Sequence, residues 1–171
     1  MRRYLQRRCR RRPASVYRKA PAKMERPLMR IETDQDIAAL LHHTQTIAML
    51  GASAKAQRPS YRVLGFLLEH GFRVIPVNPG LAGQTILGQP VIGSLDELNS
   101  PVDVVEVFRN AEFLPEIVDQ VTAHGAKTLW TQLDVVHEAA IQTALDRGLQ
   151  VVVDKCPAIE IPRLQALGHN L

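Results

Sequence analysis

Thr46-Ile47-Ala48-Met49-Leu50-Gly51-Ala52-Ser53 decides how this chain is read. Five strand-forming residues run straight into a turn of small residues, and the apolar pattern that follows has helical spacing. Continuous apolar runs mark parallel strands buried on both faces, and open α/β sheets take their ligands in the crevice at the carboxyl ends of such strands. Gly51 permits a tight turn with close backbone approach, and Ala52 and Ser53 keep it narrow. A helix beginning beyond them would aim its unpaired N–H groups at an anion. The stretch reads as a strand that ends in a ligand loop.

On its amino side, Thr33 suits a helix N-cap, with Asp34 and Asp36 in the first turn and Ile37, Leu40 and Leu41 at helical spacing. On its carboxyl side, Pro59 suits the first turn of a helix and Gly71 the position past its end, predicting a helix over about 60–70. Val63, Phe66, Leu67 and His70 form its apolar stripe, and Arg58, Ser60 and Arg62 cluster at its amino end, facing the loop. Residues 72–77 read as a strand with Pro76 near its end, and Asn78-Pro79-Gly80 as a turn. Residues 81–93 read as a loop with a short extended piece near 89–92, followed by a capping box from Ser94 to Glu97. Further strands are predicted at 103–108, 126–132 and 150–154, and helices at 111–124 and 135–147, closed by Gly125 and Gly148. After Pro157, Ile161-Pro162-Arg163-Leu164 gives a short tail helix at most. Strands alternating with helices, joined by right-handed crossovers, give an α/β fold: a doubly wound parallel sheet in a three-layer sandwich. The loops at 51–53, 78–80, 108–110 and 132–134 should open on one edge of it.

The 171 residues suit one domain, and no apolar run approaches the length of a membrane span. The net charge of +4 is unevenly placed. Residues 1–30 hold twelve of the 21 Lys and Arg and one of the 17 acids, which leaves residues 31–171 at −7. An acidic body is a poor nucleic-acid binder, because neutralising phosphates is what supplies non-specific affinity. The basic charge belongs to a head, 1–30, that includes Arg7-Arg8-Cys9-Arg10-Arg11-Arg12-Pro13 and has neither apolar periodicity nor a secretory h-region. Disorder is expected there. An RNA- or membrane-attracted arm, an Arg-rich transit peptide and upstream sequence outside the natural protein are the three readings. The last is preferred because Met24 and Met29 sit just before the folded pattern. Cys9 and Cys156 make neither a disulfide framework nor a metal spacing, which points to a reducing compartment and hence the cytoplasm. His42 and His43 are expected on the surface, since helical neighbours point about 100° apart.

The nicotinamide dinucleotide fingerprint fails twice: positions 52–64 contain no glycine, and the strand at 72–77 ends in Val77-Asn78-Pro79 with no acid for ribose hydroxyls. The P-loop pattern with its lysine is also absent. What remains are parts of a phosphate site: Gly51, Ala52 and Ser53, with Arg58, Ser60 and Arg62 near a helix amino end. Cys156 is expected to be a buried thiol, and no His, Ser or Cys arrangement makes a catalytic triad.

Leu50-Gly51-Ala52-Ser53, Arg58-Pro59-Ser60-Tyr61-Arg62-Val63, Val74-Ile75-Pro76-Val77-Asn78-Pro79, Val104-Val105-Glu106-Val107-Phe108-Arg109, Leu129-Trp130-Thr131-Gln132-Leu133 and Asp154-Lys155-Cys156-Pro157 come in that order. In this ordered set, over about 34–164, the chain resembles the bacterial CoA-binding protein family. These are small stand-alone Rossmann-like domains similar to the N-terminal domain of the succinyl-CoA synthetase alpha subunit. The resemblance implies that Gly51, Ala52, Ser53, Arg58 and Ser60 meet a pyrophosphate, that Val77, Asn78 and Pro79 line the adenosine, and that Phe108 and Arg109 form the next strand end. It implies a module that binds coenzyme A or an acyl-CoA without turnover, with no metal and no membrane partner. The alternative is an NAD(P)-dependent oxidoreductase or other nucleotide-binding enzyme. The chain departs from the family in carrying Gly80 and Leu81 where relatives often have Lys after the Asn-Pro turn, and in Asp134, which adds negative charge near the crevice.

Overall fold

The computed structural model describes residues 29–171; the Arg-rich run, Cys9 and Met24 lie outside the described residues. A six-stranded sheet forms the middle layer, in the order β1 (Met29–Arg30), β8 (Gln150–Val152), β7 (Thr128–Thr131), β6 (Val104–Val107), β2 (Thr46–Leu50), β3 (Arg73–Val77). Every pairing in it is parallel, including Thr46 to Leu50 against Arg73 to Val77, as the alternation of strand and helix patterns predicts. The two-stranded piece β4 (Thr85–Ile86) and β5 (Gln89–Pro90) is a separate antiparallel hairpin.

Period-two alternation along the strands sends side chains to two cores. Ile47, Met49, Val74, Val104, Trp130 and Val152 pack with Ile37 and Leu41 of α1 (Asp34–His43), Val63, Leu64 and Leu67 of α2 (Pro59–Glu69), and Ile161 and Leu164 of α5 (Pro157–Ala166). Ala48, Leu50, Val105, Val107, Leu129 and Val151 face the other way. They pack on Leu114, Ile117, Val118 and Val121 of α3 (Leu114–His124) and on Ala140, Ile141 and Ala144 of α4 (Glu138–Asp146). Three helices on one face and two on the other make the three-layer sandwich.

Four local expectations shift. Met29 and Arg30 lie within the stretch assigned to the head, yet they pair with Gln150 and Val151 and belong to the sheet. The loop at 81–93 contains the hairpin, and Ile92 donates to Pro76 O and pairs with Val77, covering the edge of β3 where proline cannot donate. Helix α4 begins three residues later than its apolar pattern, because Asp134 turns left-handed (φ 63°) and His137 Nδ1 caps the Ala140 N–H. The tail helix is a full ten residues, started by Pro157 and carrying Pro162 inside it. Arg163 holds it to α1 through both Asp34 oxygens, at 2.9 and 2.6 Å.

One side chain breaks the apolar pattern of the central strands. Glu106 of β6 is 1 % exposed, accepts Gln132 Nε2 at 2.5 Å through Oε1, and leaves Oε2 without a partner among the described residues. It lines a small void with Leu41, Thr44, Trp130 and Pro157. Burial pushes its pKa up to about 8 against the opposing pull of Gln132, so the folded protein holds a neutral carboxylic acid here at pH 7. Its unfolded-state value is near 4.5, so the protonated form stabilises the fold fully below pH 4.5 and that contribution is lost as pH rises toward 8. Glu106→Gln, neutral at every pH, should be more stable than wild type at pH 8 by on the order of 2–4 kcal/mol. The gain should vanish by pH 5, as read from urea midpoints at the two pH values.

Candidate functional site

The chain leaves β2 for β3 on one side, then returns to place β6 on the other, so the strand order reverses between β2 and β6. Ligands of open α/β sheets bind at such switch points, outside the strand carboxyl ends. Here two strand ends press together. Phe108 N–H donates to Leu50 O at 2.8 Å, and Gly51 N–H donates to Val77 O at 3.0 Å. Gly51 has φ +83°, and a Cβ there would lie 2.9 Å from Phe108 O and 3.1 Å from Arg109 Cγ. Only a residue without a side chain fits that approach.

The loop beyond Gly51 is pinned from the neighbouring strand. Asn78 Nδ2 donates to Ala52 O at 2.7 Å, while its Oδ1 accepts the Gly80 N–H at 2.9 Å. Ser53 Oγ accepts the Lys55 N–H at 3.2 Å. Helix α2 starts only at Pro59, eight residues after Gly51, with Arg58 as an N-cap that makes no side-chain cap.

Two clefts open on the switch point. The first, of about 430 Å³, is lined by Gly51, Val77, Asn78, Pro79, Gly80, Gly93 and Ser94, with Arg109 of the β6 end and Glu116 and Gln120 of α3. The second, of about 700 Å³, runs from Pro59, Arg62 and Val63 past Phe108 and Arg109 to Gln132, Asp134 and Cys156. Arg109 borders both, its guanidinium 4.3 Å above the ring of Phe113. The structure therefore brings Gly51, Val77, Asn78 and Pro79 together with Arg109 on one cleft, and Phe108 with Arg109 on the other. Ala52 is fully buried, Ser53 is half-buried, Ser60 is 4 % exposed, and Arg58 is exposed; none of these four lines either cleft. Asp134 does border the second cleft, with its N–H donating to Asp154 Oδ1 at 2.8 Å.

Cys156 ends the second cleft and is 8 % exposed. Burial pushes its thiol pKa up, and nearby Glu106 adds to that, while the Ala158 and Ile159 N–H groups and the Gln132 amide work against it. A raised pKa keeps the sulfur as a thiol, a poor nucleophile. Trp130 Nε1 donates to Lys155 O at 2.7 Å and fixes the segment that presents it. Among the described residues, no three His, Cys, Asp or Glu side chains converge as a metal site would need. No described helix is long and apolar enough to cross a membrane.

Gly93, Ser94, Glu116 and Gln120 escaped the sequence reading. They reach the first cleft from a loop and a helix far along the chain, and the polar positions of an amphipathic helix carry no mark of which one faces a ligand. The capping box at Ser94 was the nearest available signal.

Comparison with known proteins bears on what this geometry holds. The uncharacterized protein YneT of Bacillus subtilis is 33 % identical over 121 residues, covering 71 % of this chain and 88 % of that protein. The cell-free ID.343 protein of Thermus thermophilus, whose structure is solved, is 36 % identical, with a TM-score of 0.73 over 78 % of this chain and 99 % of that one. The alpha subunit of the ADP-forming acetate–CoA ligase I of Pyrococcus furiosus is 25 % identical over 126 residues, 66 % of this chain but only 27 % of the subunit. The sequence pattern of the CoA binding domain matches residues 45–162, from the start of β2 into α5 and so across every strand end that lines the two clefts, and the chain belongs to that family.

Proposed function

We propose that this chain binds coenzyme A or an acyl-CoA at the β2–β6 switch point and releases it unchanged. The diphosphate lies against Gly51, Ala52 and Ser53, with Arg58 and the Ser60 backbone at the α2 end of the loop. The adenosine enters the first cleft beside Val77, Asn78 and Pro79. The pantetheine arm passes Phe108 and Arg109 into the second cleft and ends toward Cys156. The observation that carries this reading is the first cleft, where residues from the ends of β2, β3 and β6 meet around one 430 Å³ space. Family membership and the likeness to a CoA ligase subunit support the class of ligand. Binding without turnover accords with a thiol at the end of the second cleft that burial holds protonated.

An NAD-dependent oxidoreductase is the second reading, kept because the switch point of this sheet also suits dinucleotides. Mass spectrometry of the ligand released from purified protein separates the two: an adenosine-containing thiol or thioester supports the first, and NAD would replace it with the second.

Arg109 is the cation between the clefts, so Arg109→Ala should weaken CoA roughly ten- to a hundredfold, the equivalent of a lost charge-assisted contact of about 1.5–3 kcal/mol. Arg58→Ala, at an exposed position outside both clefts, should cost less in the same calorimetric titration. Gly51→Ala combines a left-handed backbone with a contact at 2.9 Å. It should lower stability by about 1–3 kcal/mol and abolish CoA binding, as thermal melts with and without CoA would show.

A further inference from the structure

The Gly80–Gly93–Ser94 rim of the first cleft is poorly furnished for a phosphorylated ribose. This point rests on the placement of the diphosphate at residues 51–53 proposed above. The backbone donors that a phosphate at the cleft rim would need are already engaged: the Gly80 N–H by Asn78 Oδ1 at 2.9 Å, and the Gly93 and Ser94 N–H groups by Glu97 Oε1 at 2.8 and 3.2 Å. The acceptor for the last two is itself a carboxylate, set directly behind the rim. Glu116 lines the cleft from α3, its Oε1 accepting Gln120 Nε2 at 2.9 Å, and it forms no ion pair with a Lys or Arg among the described residues. The one basic side chain that lines the cleft is Arg109, which stacks on Phe113.

A phosphate monoester placed at this rim would meet the Glu116 carboxylate, with the Glu97 carboxylate behind Gly93 and Ser94, and would find the Gly80, Gly93 and Ser94 N–H groups already taken. Free ribose hydroxyls are donors, and the Glu116 carboxylate accepts from them without desolvating a second anion. We infer that the cleft selects an adenosine diphosphate ester whose ribose is not phosphorylated, with Glu116 as the specificity-determining residue, so that the protein binds 3′-dephospho-CoA more tightly than CoA.

Calorimetric titration of the full chain with CoA and with dephospho-CoA tests this directly. Dephospho-CoA should bind at least about fivefold more tightly, and the ratio should shrink at high salt as the repulsion is screened. Glu116→Gln should remove most of the difference by strengthening CoA, and Glu116 is exposed, so the variant's melting temperature should match wild type. CoA binding more tightly than its dephospho form in the wild type would overturn the inference and leave the nucleotide site standing. An unchanged ratio in a folded Glu116→Gln variant would overturn the role of Glu116. If neither ligand binds the wild type, the diphosphate placement fails and this inference fails with it.

Discussion

The contact between the Gly51 backbone and the Phe108 carbonyl sets what the rest of the site can be. Two parallel strands, β2 and β6, send the chain to helices on opposite faces of the sheet at this point, and their ends must lie close for Leu50 O to receive the Phe108 N–H. The space left at position 51 admits a hydrogen and no methyl group. That single steric limit brings Arg109 beside the loop, and Arg109 in turn borders both the first cleft and the larger one toward Cys156. Gly51 is therefore required by the protein's own packing before any ligand is considered, which is a stronger reason for glycine than phosphate access alone.

The site is coupled to the core from both sides. Asn78 spans the ends of β2 and β3 with one amide, donating to Ala52 O and accepting from Gly80 N–H, so the loop cannot relax without losing both bonds. On the far side, Gln132 stands at the second cleft with its amide donated inward to Glu106. A neutral acid in the middle of a sheet is costly to leave half-satisfied, and its effect is to hold the Gln132 amide in one orientation at the cleft wall. Asp103 plays a comparable part at the opposite end of β2, where it accepts from the Gln45 and Thr46 N–H groups and the Thr46 hydroxyl. Burial opposes its ionisation, yet Lys127 and those donors hold its pKa down to about 2. Its contribution is present above the ordinary carboxylate range near pH 4 and fades as pH falls through 2.

Much of this was legible in the sequence, for reasons that can be named. The strands at 46–50, 104–107 and 128–131 are buried on both faces and so are rich in apolar, β-branched and aromatic residues, and Gly71, Gly125 and Gly148, each with positive φ, close the helices that alternate with them. Gly51, Asn78 and Arg109 could be found because strand ends are where a parallel sheet exposes its loops. Strand β1 was not legible: two residues carry no period, and their pairing with β8 is a tertiary fact. The start of α4 was misplaced because Val135 and Val136 continue the apolar pattern through a turn, and α5 was shortened because Pro162 interrupts an otherwise helical run. Glu116 was invisible as a cleft residue, since nothing local distinguishes a solvated carboxylate from one facing a cleft.

Where the ligand sits is measured most directly by amide spectra of isotopically labelled protein titrated with CoA. The largest shifts should fall on the N–H groups of Gly51, Ala52, Ser53, Asn78, Gly80 and Arg109, which surround the β2–β6 switch point, with the opposite sheet end at Thr46, Asp103 and Lys127 unmoved. Shifts centred on that opposite end, or on the α4–β8 side away from both clefts, would contradict it.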